Sequence, residues 1–143
     1  MIFDKKVAAA LHIEAAIYLY FQGNYACVAT LCGAAEGALP QPQKDYVFAE
    51  AKRKLFGQLQ SPERDIVSVM NRERDWLKHY NADQPQHIVI TDPVAKFWIY
   101  RAMSKYFALY GKDALTAPMK EFWRKVAASP NDFQAGTSGV HSD

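Results

Sequence analysis

Residues 25–39 form the most apolar helical segment of the sequence, and this segment limits what the chain can fold into. Within it only Thr30 and Glu36 are clearly polar, and Pro40 ends it because proline disfavours helical geometry in the preceding residue. A helix that is apolar nearly all round must be covered by protein on most sides. The segment therefore predicts a central helix with other helices packed around it, and its glycines and alanines favour close approach.

Five further segments repeat apolar residues at helical spacing and supply these neighbours. The predicted helices cover residues 4–22, 44–58, 61–80, 92–110 and 116–127. In the first of them one stripe is apolar and is expected to face the core: Val7, Leu11, Tyr18 and Phe21. The sequence thus predicts an all-α fold, an antiparallel bundle of about five to six helices.

Length and composition predict one domain. A chain of 143 residues, of which 50% are hydrophobic, has enough apolar material for a single core. We expect residues 1–128 to form this domain and residues 129–143, rich in small and polar residues, to be a disordered tail. The short apolar run 87–91 has no partner strand, so a sheet is not expected.

Charge, cysteines and hydropathy favour a cytoplasmic protein that does not enter the membrane. The net charge of +2 permits RNA binding without requiring it. Cys27 and Cys32 lie five residues apart in one predicted helix, where their side chains diverge by about 140°, so we expect both thiols to be reduced. Residues 1–6 lack signal-peptide architecture, and no apolar stretch reaches the ~20 residues of a bilayer span.

The predicted helix at residues 61–80 has one apolar face and one polar face. Successive residues rotate by about 100°, which places these side chains on the polar side: Asn71, Arg74, Asp75, Lys78 and His79, with Arg72 at the margin. Such a face is often simply solvated. It also combines an imidazole with cations and an amide, the groups that hold a phosphate and move a proton.

Three carboxylates lie on otherwise apolar helix faces: Glu14, Glu36 and Glu73. An unpaired buried carboxylate costs several kcal/mol or takes up a proton, so at least one should meet an Arg or Lys. We expect Arg74 to pair with Glu36. The ion pair is either purely structural, or it holds Arg74 in position for a catalytic role. Bundles can carry metals on Glu-x-x-His repeats, which this sequence lacks, so no metal or other cofactor is expected. A carboxylate metal-binding bundle ranks third among the hypotheses.

The hexapeptide Arg74-Asp75-Trp76-Leu77-Lys78-His79 resembles the signature of the HEPN superfamily, in which an Arg and a polar residue precede a His. Residues 30–36, residues 71–79, Arg101-Ala102 and Tyr106 resemble, in the same order, segments of a group of uncharacterised bacterial helical proteins. The likeness covers roughly residues 7–125. It implies a small helical bundle that forms a homodimer and binds RNA through an Arg/His site at the dimer cleft.

The resemblance further implies a metal-independent endoribonuclease with Arg74 and His79 as its catalytic pair. His79 would act as general base or acid at a ribose 2′-hydroxyl or leaving oxygen, while Arg74 would stabilise charge in the transition state. Supporting or substrate-binding roles fall on the neighbouring polar residues and one carboxylate: Asn71, Arg72, Asp75, Lys78 and Glu36. A cognate antitoxin or another partner protein is a further expected partner.

The same residues also fit a function of a different class, a non-catalytic helical interaction or dimerisation module. In that hypothesis Trp76 anchors a partner protein. Asp75 bears on the choice, because related families often have Asn or His at its position. A carboxylate there repels a phosphate unless it orients His79.

Overall fold

The computed structural model describes residues 1–43, 46–59 and 63–126, and its regular elements are helical. Seven α-helices lie in these ranges: α1 (Lys5–Phe21), α2 (Tyr25–Ala38), α3 (Val47–Leu59), α4 (Glu63–Met70), α5 (Arg72–Lys78), α6 (Asp92–Tyr110) and α7 (Ala117–Val126). A short 3-10 turn, Lys112–Ala114, joins α6 to α7, and these ranges contain no β-strand. The predicted all-α class is confirmed. The predicted tail, 129–143, lies outside the described residues.

Helix α2 packs against α1, α5 and α6, as expected of a central helix. Its buried side chains are Val28, Ala29, Cys32, Gly33, Ala35 and Glu36. The side of α2 that protein does not cover is a narrow strip of small exposed residues: Ala26, Thr30, Ala34 and Gly37. A hydropathy pattern does not separate this strip from the core, since small side chains are common in both places.

Helix α1 turns a different face to the core from the one predicted. It begins after Asp4, whose side chain accepts a hydrogen bond from the Val7 amide over 2.7 Å. The buried face is Ala9, Ile13, Ala16, Ile17 and Tyr20. The predicted inward stripe is wrong, because four of its side chains remain 45, 47, 67 and 52% exposed: Val7, Leu11, Tyr18 and Phe21. Both faces of α1 are apolar, but the buried face contains alanines, whose small side chains let α1 approach its neighbouring helices more closely.

Helices α6 and α7 match the predicted boundaries closely. α6 has Pro93 in its first turn and ends before Gly111, whose φ of +83° glycine adopts without strain. Its core face includes Trp98, Ile99 and Met103 but also the buried cations Arg101 and Lys105. Nowhere in the described ranges does a helix have both the length and the apolar character to cross a membrane.

The predicted helix at residues 61–80 is two helices. α4 ends at Met70, and Asn71, with φ −103° and ψ 9°, separates it from α5. α5 ends at Lys78, and His79 is already extended with φ −126° and ψ 130°. The periodic pattern of the sequence continues across this break, so its cause must lie elsewhere in the chain.

Candidate functional site

Arg101 is a fully buried cation at the centre of a hydrogen-bond network, with 0% exposure. Its Nε and Nη2 atoms donate to the two carboxylate oxygens of Glu36 over 2.9 and 2.8 Å. Nη2 also donates to Oδ1 of Asn71 over 2.8 Å, and Nη1 donates to the Met70 carbonyl over 2.7 Å. The guanidinium carbon lies 4.1 Å from the ring centroid of Trp98. The charge is therefore paired, hydrogen-bonded and stacked, which makes its burial tolerable.

The Arg101 network contacts the chain at the break between α4 and α5. In a continuous helix the Met70 carbonyl accepts from the amide of Arg74. Here it accepts from Arg101, 31 residues further along the chain. The Asn71 carbonyl then accepts from the Asp75 amide over 2.9 Å, which starts α5.

Lys105 reinforces the same arrangement one turn further along α6. Its Nζ atom donates to the carbonyls of Glu36 and Leu39 over 2.7 and 3.0 Å. These carbonyls lie at the end of α2, where a helix leaves its last acceptors without amide partners. Burial lowers the pKa of Lys105, and the charge of Glu36 opposes this shift. Thus α6 fixes the end of α2 and the start of α5 together.

The predicted ion pair between Arg74 and Glu36 is wrong, because Arg101 engages both oxygens of Glu36. Glu36 and Asn71 are 5 and 6% exposed, so they support the fold from inside. Sequence reasoning missed this role of Arg101. The available signal was a cation on the apolar face of α6, which demands a buried acceptor.

Arg74 instead lies against α2 at Gly33. A Cβ atom at Gly33 would lie 2.7 Å from Cδ and 2.8 Å from Cγ of Arg74, so this packing requires glycine. The Nε and Nη2 atoms of Arg74 donate to Oδ1 of Asp75 over 3.2 and 3.1 Å. The two side chains are 29 and 40% exposed. The guanidinium is therefore positioned by its own helix and reaches solvent beside a carboxylate.

The remaining predicted site residues lie at the surface. Arg72, Lys78 and His79 are exposed, and the His79 amide donates to the Asp75 carbonyl over 3.0 Å. We call the following set the α5 surface: Arg72, Arg74, Asp75, Lys78 and His79. The structure thus divides the predicted site into this surface and the buried pair Glu36 and Asn71.

Trp76 is engaged within the chain. Its indole Nε1 donates to the Pro85 carbonyl over 2.7 Å, which ties the loop at residues 79–91 back onto α5. The side chain is half-buried, and the adjacent Leu77 packs against the core. Trp76, suggested from the sequence as an anchor for a partner protein, therefore already binds the loop of its own chain.

Potential metal ligands do not cluster in the described ranges, where no three His, Cys, Asp or Glu side chains come close enough to hold an ion. Burial raises the pKa of the Cys32 thiol, so this residue is a protonated core side chain. Comparisons of the chain with protein-family models, curated proteins and solved structures found no match. A functional assignment therefore rests on the residues of the chain itself.

Proposed function

We propose that the chain is a HEPN-like protein that binds RNA on the α5 surface and cleaves it without a metal ion. The proposal rests on the positions of Arg74 and His79. In α5, Arg74 packs against Gly33, and His79 is exposed directly after the helix. Arg72 and Lys78 add exposed cations for phosphates. A homodimer of HEPN-type antiparallel bundles, a cytoplasmic location and a cognate antitoxin or other partner protein belong to the same proposal.

In the proposed reaction the imidazole of His79 removes the proton from a ribose 2′-hydroxyl. The 2′-oxygen attacks phosphorus, and the bond from phosphorus to the 5′-oxygen breaks. That 5′-oxygen then takes a proton from the imidazolium form of His79. The products are a 2′,3′-cyclic phosphate and a 5′-hydroxyl. Arg74 stabilises the negative charge that develops. Because its pair with Asp75 is partly exposed, exchange of that carboxylate for a phosphate costs about 1 kcal/mol or less.

Cleavage of a labelled single-stranded RNA in EDTA tests the catalytic pair. Arg74→Ala and His79→Ala should each reduce the rate by about 100-fold, the usual scale for a lost acid, base or charge-stabilising group. The matched controls His87→Ala and Lys112→Ala remove exposed residues outside the α5 surface and should leave the rate unchanged. Cleavage that persists in both site variants contradicts the assignment, and cleavage abolished by EDTA contradicts the metal-independent mechanism.

Gly33→Ala provides a sharper variant, since it keeps every charge of the α5 surface. The added Cβ would displace Arg74 from its seat on α2. We expect RNA cleavage to fall while circular dichroism still shows a folded helical protein. Full activity in this variant would show that the seat at Gly33 does not position Arg74 for the reaction.

The outer side of α1 favours a second candidate function, a non-catalytic interaction or dimerisation module. Val7, Leu11, Tyr18 and Phe21 recur along one helix face and are 45–67% exposed. Exposed apolar side chains that share one helix face are typical of a surface that pairs with another protein. In this candidate, two copies of the chain pair through α1.

Analytical ultracentrifugation tests the second candidate. The double variant Leu11→Lys/Tyr18→Lys should shift a dimer to a monomer without loss of thermal stability, since both side chains lie outside the core. Val69→Lys is the matched control, because Val69 is 69% exposed on α4. A wild-type chain that stays monomeric at high concentration, or a variant that stays dimeric, contradicts pairing through α1.

A further inference from the structure

The chain between α5 and α6 contains a strand-like segment, residues 86–91, which has no regular secondary structure. Its centre, Ile88-Val89-Ile90, is a run of three β-branched residues, the type that favours strands. Exposure alternates along this run, because Ile88 and Ile90 are half-buried whereas Val89 is 75% exposed. A period of two is that of a β-strand with one face on a core and the other in solvent.

Both ends of this segment are attached to the bundle. Directly before it, the Pro85 carbonyl accepts from the indole of Trp76 over 2.7 Å. At its other end the Thr91 carbonyl accepts from the Ala95 amide over 3.0 Å, and Thr91 is extended, with φ −87° and ψ 165°. Between these two attachments Ile90 packs against the core. The segment is therefore already ordered, so a chain that pairs with it orders little further backbone in this protein.

The backbone of the segment is available to a further strand. Within the described ranges, no residue forms a hydrogen bond with the amides or carbonyls of residues 86–90. A row of such groups along an exposed strand is a template for pairing with another chain. Proteins often block such an edge with a lysine or another charged side chain. Residues 86–91 contain no lysine, arginine or carboxylate, so this edge is not blocked.

The residue types around Val89 are symmetric along the chain, which indicates the partner. Pro85 and Pro93 each lie four residues from Val89, and proline cannot donate to a ladder, so the two prolines limit the segment on both sides. Two copies aligned antiparallel with Val89 opposite Val89 form the following further pairs: Ile88 with Ile90, and His87 with Thr91. Apolar side chains meet at the centre and polar side chains at the ends. The segment is therefore complementary to itself, as a twofold contact requires.

We propose that residues 87–91 pair with the same residues of a second copy in an antiparallel β-ribbon, with the twofold axis at Val89. A ribbon of two strands is marginal in water by itself, but here each strand rests on its own helical bundle through Ile90. The ribbon uses neither the α5 surface nor the outer side of α1, and it does not depend on whether the α5 surface cleaves RNA. Copies that are paired through another surface are therefore joined by the ribbon into assemblies larger than a dimer.

Charged substitutions at Val89 test the position of the twofold axis. Val89→Lys and Val89→Glu each place like charges opposite each other in the ribbon, which should prevent pairing. A mixture of the two variants places opposite charges there and should restore it. Energy transfer between donor-labelled and acceptor-labelled chains should be at least about threefold higher in the mixture than in either variant alone. Pairing through α1 would be the same in all three samples, so the difference reports on residue 89.

Val89→Thr is the matched control, because threonine is also β-branched and carries no charge, and it should keep the association of the wild type. Circular dichroism should show that all three variants fold, since Val89 is 75% exposed. Equal energy transfer in the mixture and in the single variants would exclude a ribbon centred on Val89. A wild-type chain that sediments only as a monomer at its highest soluble concentration would likewise overturn the proposal.

Amide hydrogen exchange at rising protein concentration locates the contact within the chain. Each strand of an antiparallel pair directs alternate amides toward its partner. Every second amide of residues 87–91 should therefore exchange about fivefold more slowly at high concentration, while the amides between them change little. Slowing confined to α1 or α5, or no slowing at residues 87–91, contradicts the ribbon.

The ribbon and the α5 surface can fail separately, and two variants distinguish these failures. Arg74→Ala and His79→Ala leave residues 87–91 intact, so the slowing of alternate amides should persist in both variants. Persistent slowing together with lost RNA cleavage supports the ribbon and the α5 surface alike. Persistent slowing with unchanged cleavage contradicts the α5 surface alone, whereas lost slowing contradicts the ribbon.

Discussion

The guanidinium of Arg101 carries its charge at 0% exposure, so its partners decide whether the fold tolerates it. Arg101→Met should lower the free energy of unfolding by about 3 to 5 kcal/mol, because Glu36 then becomes a buried carboxylate without a partner. Arg101→Lys should fall between this variant and wild type, since an ammonium cannot donate in a fork to both oxygens. Urea denaturation followed by circular dichroism measures both changes.

The control for this prediction is Arg64→Lys, at a side chain that is 88% exposed, where no change is expected. The double variant Glu36→Gln/Arg101→Met should lose less than the sum of the single variants, since it leaves no unpaired charge. Strict additivity would contradict a direct interaction between Glu36 and Arg101.

At individual residues, local chemistry could be predicted from the sequence and long-range pairing could not. The predicted helix start at residue 4 and helix end at residue 110 agree with the structure, where capping by Asp4 and the geometry of Gly111 explain them. The expectation that a buried carboxylate meets an Arg is confirmed at Glu36. The predicted partner of Glu36, Arg74, was wrong. The true partner, Arg101, lies 65 residues from Glu36 in the sequence, and no local spacing connects the two residues. The catalytic roles of Arg74 and His79 stay predictions.

At the scale of elements, the loop at residues 79–91 depends on the indole of Trp76. Trp76→Phe keeps the ring but removes the donor to the Pro85 carbonyl. We expect amide hydrogen exchange around residues 82–86 to accelerate about fivefold, the effect of losing roughly one neutral hydrogen bond. The control is Trp123→Phe, since Trp123 is 54% exposed on α7. Unchanged exchange in Trp76→Phe would show that other contacts hold the loop.

Two elements show why periodicity alone misplaces helices. α1 has apolar side chains on both faces, so its spacing fits two orientations, and only packing on α2 selects between them. The segment 61–80 has the pattern of one helix, but the helix is interrupted at Asn71, where Arg101 of α6 donates to the Met70 carbonyl. In both cases the deciding contact comes from a different helix, which a local pattern does not contain.

At the scale of the whole molecule, burial raises the pKa of several tyrosine hydroxyls: Tyr20, Tyr25, Tyr46 and Tyr106. For Tyr46 burial and then the charge of Glu36 raise the pKa from 10.0 to about 12, against the opposite effect of Arg101. The folded state favours the neutral phenol, so this stabilisation is complete below pH 10 and is lost as the pH rises toward 12. Alkaline conditions should therefore destabilise the fold.

The test is urea denaturation at several pH values between 10 and 12. Tyr46→Phe should reduce the alkaline loss of stability by at most about 2 kcal/mol relative to wild type. Ultraviolet titration of phenolate absorbance provides an independent measurement. An identical alkaline loss in both proteins would show that the Tyr46 hydroxyl does not contribute.

Across the whole chain the fold class followed from composition and periodicity, because a segment as apolar as α2 needs neighbours on several sides. The arrangement of the helices around α2 could not be predicted from composition and periodicity. It depends on the Arg101 network and on the contact of Arg74 with Gly33, both of which join residues distant in sequence. The candidate site at residues 71–79 therefore stays a prediction, whereas the cation that pairs with Glu36 was predicted wrongly, as Arg74 instead of Arg101.

The Arg101 network also sets an order of events during synthesis. A ribosome adds Glu36 and Met70 before it adds Arg101, so Glu36 and the Met70 carbonyl are synthesised before the partner that they bind in the fold. In that interval the carbonyl is available to the amide of Arg74, and we expect the nascent segment 61–80 to form a single helix. NMR of stalled nascent chains can observe this state. We expect Arg101 to divide this helix at Asn71 once it is available, so that the α5 surface forms only after translation has passed α6.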